Sequence, residues 1–291
     1  MIIPKVSICI PAYKQPEYLR RALESIQIQT FKDYEVIVTD DSPDSSVEEV
    51  VREFQPNNKL RYFKNKERKG TPGNWNEAVS LANGEYIKIL HHDDWFYEKE
   101  SLTTFVKMLD ENPQADFAFA SCLAYAPDQK FLFTHSPPKK NISELRFNPS
   151  RLFPKNFIGA PSVTIYRNKS KKNFDPKLKW LVDIDFYIRI LKDNNFFIYW
   201  PEPLVCITTG GDSQVTSECS NSKSIEIFEW LYLYSKLDNH IMPNLKNVKF
   251  IWNLLRKYQV CSVNEILKTG VEPPIPLLVR MMVYLNKFLS V

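Results

Sequence analysis

Between residues 6 and 94, short apolar runs alternate with segments of helical spacing, and several of the runs end in polar clusters. Residues 6–10, 34–39, 60–63 and 85–90 are brief and rich in β-branched and aromatic side chains, so they read as strands. Residues 17–29, 47–54 and 74–82 read as helices; in the first, Leu19, Ala22, Leu23 and Ile26 share a face. The third stops near Asn83-Gly84, a usual helix end. Strand and helix in this alternation predict a parallel sheet built from right-handed crossovers. In such sheets ligands sit beyond the carboxyl ends of the strands. Three polar clusters fall there: Pro11-Ala12-Tyr13, Asp40-Asp41, and His91-His92-Asp93-Asp94.

The second half is less regular. Strands are expected at 117–124, 130–134, 162–166 and 196–200, helices at 182–191, 225–237 and 246–258, and a polar loop at 137–147. With 291 residues and 44% apolar content the chain can bury a sizeable core. A net charge of +4, spread along the chain, does not point to nucleic acid but suits anionic substrates. Five scattered cysteines without a CxxC pair read as buried thiols of a reducing compartment. No secretion signal and no membrane-spanning run is recognised, so a cytoplasmic protein is expected.

The loop after the first strand contains no glycine. A dinucleotide fold or a P-loop would place glycines there so that backbone amides cradle phosphate. A diphosphate bound here needs another counter-charge, and a hard divalent cation held by carboxylates supplies it. Asp93 and Asp94 are the candidate ligands. His91 or His92 is a ligand, a phosphate contact or a packed side chain. Asp40 and Asp41 can accept hydrogen bonds from a base or a ribose, or cap the turn that follows them.

Three segments together resemble the opening of a family 2 glycosyltransferase of GT-A fold. They are Val6-Ser7-Ile8-Cys9-Ile10-Pro11-Ala12-Tyr13, Glu35-Val36-Ile37-Val38-Thr39-Asp40-Asp41-Ser42, and Gly84-Glu85-Tyr86-Ile87-Lys88-Ile89-Leu90-His91-His92-Asp93-Asp94. The resemblance spans about residues 5–216 and is strongest in the first hundred. It implies a Rossmann-like, mostly parallel mixed sheet flanked by helices. It places Pro11, Ala12 and Tyr13 against a nucleotide base, Asp40 and Asp41 on base and ribose, and Lys69 and Asn76 beside the nucleotide, with His91 and His92 in the same pocket. Asp93 matches the last acid of the family's DxD and is expected on Mn²⁺ or Mg²⁺, with Asp94 secondary. His91 replaces the first acid of that motif. Many relatives carry a metal-binding histidine in a late loop, matched here by 208–216, but no histidine occurs between His135 and His240.

The resemblance also implies inverting transfer, in which a carboxylate takes the proton of the acceptor hydroxyl. Asp183 and Asp185 compete for that role. Asp185 lies four residues before Arg189, the spacing of a solvated helical ion pair, whereas Asp183 lacks that partner. The match to the family also selects Asp183, and Gly159-Ala160-Pro161-Ser162 matches a loop bordering donor sugar and acceptor. The expected organisation is a catalytic domain over 1–218, with a nucleotide half to about 98 and an acceptor half from 99, then a helical extension over 219–291. The end of the chain, 273–291, reads as an interfacial helix at a membrane or as a segment packed on the catalytic domain. The expected donor is a nucleotide-diphosphate sugar, and the expected acceptor a glycan or lipid-linked glycan of the cell surface. Two rivals are a catalytically inactive sugar-nucleotide binder, favoured by the His91 replacement, and a sugar nucleotidyltransferase, whose glycine-rich first loop is absent.

Overall fold

The computed structural model describes residues 3–54, 59–169, 172–211, 215–237 and 244–289. The first half follows the expected alternation: β1 (Val6–Ala12), α1 (Pro16–Gln27), β2 (Tyr34–Asp40), α2 (Ser46–Phe54), β3 (Leu60–Lys64), α3 (Gly70–Ser80) and β4 (Tyr86–Ile89). β1 pairs in parallel with β2 and β4, and β2 with β3. A two-residue strand, β5 (Trp95–Phe96), follows the acidic tract, and α4 (Ser101–Asp110) leads to β6 (Phe117–Tyr125).

β7 (Phe131–His135) pairs antiparallel with β6, as does β8 (Thr164–Arg167). The helix α5 (Lys139–Phe147) precedes β8, and α6 (Val182–Asp193) leads into the long β9 (Phe197–Thr208), parallel to β6. One mixed sheet results, in the order β3-β2-β1-β4-β8-β6-β9-β5, with β7 pairing the later part of β6 on the side where β8 pairs its start. The chain then continues as α7 (Val215–Cys219), α8 (Lys223–Lys236), α9 (Leu245–Lys257), α10 (Val263–Leu267) and α11 (Leu277–Leu289).

β1, β2 and β4 are buried along their whole length, as strands covered on both faces must be. Alternate residues serve opposite faces. Val6, Ile8, Ile10, Val36 and Val38 join a core beneath α1, α2 and α4, whereas Cys9, Ile37, Ile87 and Ile89 join a larger core beneath α3, α6, α8 and α9. The turn into β4 passes so close to β1 that a Cβ on Gly84 would lie 2.5 Å from the Ser7 amide. Only glycine fits there.

Two expectations change. The polar loop at 137–147 is largely the helix α5, which buries only Leu145 and is held at its last turn by an ion pair from Glu144 to Arg151. A helix with one apolar anchor leaves almost no periodic signal. The strand expected to end at 200 runs on to Thr208, because exposed Trp200, Pro201 and Glu202 interrupt its apolar pattern while the backbone stays extended. Among the described residues no helix is long and apolar enough to cross a membrane.

Candidate active site

β1, β2 and β4 are adjacent, so their carboxyl ends bring the three polar clusters to one edge of the sheet. The loop after β1 is strained and locked. Lys14 and Gln15 both hold left-handed backbone angles, φ 56° and 54°, rare for side chains with a Cβ. The Lys14 amide donates to Ser42 Oγ at 2.6 Å, and Gln15 Oε1 lies 3.2 Å from His92 Nε2. Tyr13 is partly buried, with the Arg68 guanidinium 4.2 Å from its ring centre. Pro11 and Ala12 belong to β1 and are buried.

Asp40 is 0% exposed, and its carboxylate accepts from the Ser42 amide at 2.7 Å, Tyr62 Oη at 2.8 Å and Lys64 Nζ at 2.8 Å. A ligand would reach it only by displacing those bonds. Asp41 accepts from Asn65 Nδ2 and the Lys69 amide, and from the Gly70 amide at 2.7 Å, so it caps the start of α3. Asn76 donates to the Phe174 carbonyl at 2.9 Å and accepts from the Phe174 amide at 2.8 Å, clasping the later chain to α3. Lys69 Nζ pairs with Glu77.

The tract after β4 turns sharply, with the Asp94 amide donating to the His91 carbonyl at 3.0 Å. His91, Asp93 and Asp94 each offer a ligand atom within 4.8 Å of the others. That spacing is slightly wider than the roughly 4.2 Å between opposite ligands of an octahedral Mg²⁺, so a small side-chain rotation closes the set. The donors are hard oxygens plus one imidazole, a set that suits Mg²⁺ or Mn²⁺. His91 Nε2 is buried without a hydrogen-bond partner, a polar atom that a ligand or ion would satisfy.

Asp94 is 3% exposed and accepts from the Thr208 amide at 3.0 Å. Burial first, then the charge of Asp93, pushes its carboxyl well above the usual range. Burial pushes the His91 imidazole down to about 4. Both shifts favour uncharged forms; a bound cation would draw Asp94 back to its carboxylate and keep His91 neutral. Arg21 secures the tract from α1. It donates to the Asp93 carbonyl at 2.9 Å and to Thr208 Oγ1 at 3.0 Å, and stacks 3.6 Å from the Trp95 ring centre.

Asp183 stands in the first turn of α6 beside a cavity of about 290 Å³ lined by Lys155, Asn156, Trp180, Ile184, Thr216 and Trp230. Its carboxylate accepts from Asn156 Nδ2 at 2.7 Å and from the Ile184 amide at 2.8 Å. Burial outweighs those bonds and raises it to about 7. One segment joins this carboxylate to the acidic tract. Asn156 also donates to the Gly159 carbonyl, where φ is +114°, and Ser162 Oγ accepts from the His91 amide at 2.9 Å. Asp185 is not the solvated partner that the spacing predicts. It is 1% exposed, and besides Arg189 Nε at 2.7 Å it meets Lys236, which reaches it from α8.

Two residues of consequence escaped the sequence reading. Lys88 lies wholly buried within β4, donates to the carbonyls of Ile89 and Ser162, and sits 4.6 Å from the Phe105 ring centre. Burial lowers its ammonium to about 7. A lysine in the middle of an apolar strand was the available signal. Glu229 of α8 is 2% exposed and accepts from the amides of Lys179, Trp180 and Leu181, the turn that presents Asp183. No local pattern marks that contact, which joins residues about fifty positions apart. In the late loop, residues 212–214 lie outside the described residues.

The profile of the family described as glycosyl transferase family 2 matches residues 7–174. An uncharacterized glycosyltransferase of Methanocaldococcus jannaschii is 31% identical over 198 residues, 67% of this chain and 67% of its own. The GalNAc(5)-diNAcBac-PP-undecaprenol beta-1,3-glucosyltransferase of Campylobacter jejuni is 34% identical over 125 residues, which cover 42% of this chain and 39% of that enzyme. Among solved structures, S. aureus TarS 1-349 in complex with UDP-GlcNAc superimposes with a TM-score of 0.64 at 20% identity, covering 92% of this chain and 76% of that one. The fold is therefore the GT-A, Rossmann-like one.

Proposed function

The chain belongs to glycosyl transferase family 2, and from that premise we propose that it moves a sugar from a nucleotide-diphosphate donor, a UDP-sugar, to a hydroxyl of a glycan or lipid-linked glycan, with inversion at the anomeric carbon. The pathway assigned is cell-surface polysaccharide synthesis at the cytoplasmic side of the membrane. The catalytic unit is assigned to residues 1–218, with the donor half to about residue 98. The structural neighbour crystallised with UDP-GlcNAc supports the donor class, and the Campylobacter relative named for an undecaprenol-linked glycan supports the acceptor class.

The observation that carries the reading is the coupling of a carboxylate poised near neutrality to the acidic tract. Asp183 is raised to about 7, and the 156–162 segment ties it to His91. A base whose pKa lies near the working pH is both available and strong enough to take a hydroxyl proton. Asn156 and the Ile184 amide hold the carboxylate in place. Nucleotide binding is assigned to the rim formed by Pro11, Ala12, Tyr13, Asp41 and Lys69. Asp40 and Asn76 act there by holding that rim in shape. Asp93, with Asp94 and His91 beside it, would hold Mn²⁺ or Mg²⁺, which when bound neutralises charge on the departing diphosphate. Lys88 holds the Ser162 turn under His91.

The test is release of the free nucleotide across a panel of nucleotide sugars with candidate acceptors. An active enzyme releases UDP from one donor only when the acceptor is present. The inactive-binder reading, which the His91 replacement favours, predicts UDP binding with no release from any donor.

A further inference from the structure

The helix α11 presents a face that no other described residue covers. Val279, Met282, Val283 and Asn286 of α11 are buried, and Asn286 Nδ2 donates to the carbonyls of Leu255 and Val260 at 3.3 and 2.9 Å, fastening α11 to the end of α9. On the opposite side Leu277, Met281, Tyr284, Leu285 and Phe288 are each at least half exposed. At 100° per residue these five fall within one third of the helix circumference. The Tyr284 and Phe288 rings meet edge to face, 4.8 Å apart, which makes the strip continuous.

Charge decides what covers this strip. Arg280 and Lys287 project along one flank of it, and both are exposed. α9, on which α11 packs, carries Lys246, Lys249, Arg256 and Lys257 and no acidic residue, and of these Lys257 pairs with Glu226 of α8. Residues 244–289 hold seven Lys and Arg against two Glu, and those two are paired with Lys177 and Lys223 from earlier in the chain. An apolar strip, a tyrosine at its edge and an exposed basic flank match an anionic bilayer surface, whose headgroups meet the cations while acyl chains take up the strip. We propose that the outer face of α11 docks this protein on an anionic phospholipid membrane, lying in the interface and not crossing it.

The proposal stands apart from the assigned reaction. Its test is co-sedimentation of the full chain with vesicles of phosphatidylcholine alone, and with vesicles of phosphatidylcholine and phosphatidylglycerol in equal parts. Wild type is expected to pellet with the anionic vesicles only, and to be released by high salt. Met281→Glu with Phe288→Glu should abolish pelleting. Arg280→Ala with Lys287→Ala should weaken it roughly 30-fold, at about 1 kcal/mol for each charge near the surface. All four positions are exposed, so thermal melting should be unchanged and a folding defect would be seen. Failure of wild type to bind anionic vesicles, or equal binding by the glutamate variant, overturns the proposal. So does a concentration-dependent dimer that the glutamate substitutions dissociate while wild type ignores vesicles, for then a second copy covers the strip.

Discussion

Asp183 and Asp185 lie two positions apart on α6, yet their surroundings give them different chemistry. Asp185 is locked between Arg189 and Lys236, while Asp183 keeps two hydrogen bonds and a raised pKa beside a cavity. With Asp183 as base, turnover should fall as pH drops through about 7, and a pH–rate profile measures that limb. Stability should move the other way. The folded state holds a proton on Asp183 between the ordinary carboxylate range and about 7, so this group's contribution decreases as pH rises through that window. Comparing melting temperatures of Asp183→Asn and wild type at pH 5 and pH 8 isolates the effect, and the variant should gain at the higher pH. Asp93→Ala should remove the Mn²⁺-dependent part of UDP binding by calorimetry; unchanged metal dependence would move the ion elsewhere. The acids themselves could be read from the sequence. The commitment of Asp40 could not, because Tyr62 and Lys64 reach it from another strand.

At the scale of elements, the edge that gathers β1, β2 and β4 was readable because buried parallel strands are continuous apolar runs and their ends are abrupt. The helices past the last strand were readable as helices, but their contacts with the site were not. α8 delivers Glu229 to three backbone amides below Asp183 and Lys236 to Asp175 and Asp185. Glu229→Ala leaves those buried donors unsatisfied and should destabilise the fold by about 1–3 kcal/mol in denaturant unfolding. Glu229→Gln is the finer probe. The charge of Glu229 is one of the influences that raise Asp183, so its removal should shift the acid limb of the rate profile to lower pH. A variant that loses activity without moving that limb would give Glu229 a purely structural part.

For the molecule as a whole, binding of donor product to the folded state should show as stability. UDP with Mn²⁺ at a hundredfold excess over its dissociation constant adds about 2.7 kcal/mol, a rise in melting temperature of about 5 °C for a chain of this size. Chelation of the metal should remove most of that rise. In the proposed function one carboxylate performs the proton transfer while a separate tract holds the nucleotide. Measuring acceptor-dependent UDP release and calorimetric UDP–Mn²⁺ affinity on the same preparations of wild type and Asp183→Asn separates the two roles. With Asp183 as the base, release should fall at least a hundredfold, the lower range for loss of a general base, with affinity nearly unchanged. Near-normal release by Asp183→Asn, or affinity that collapses together with release, would contradict it.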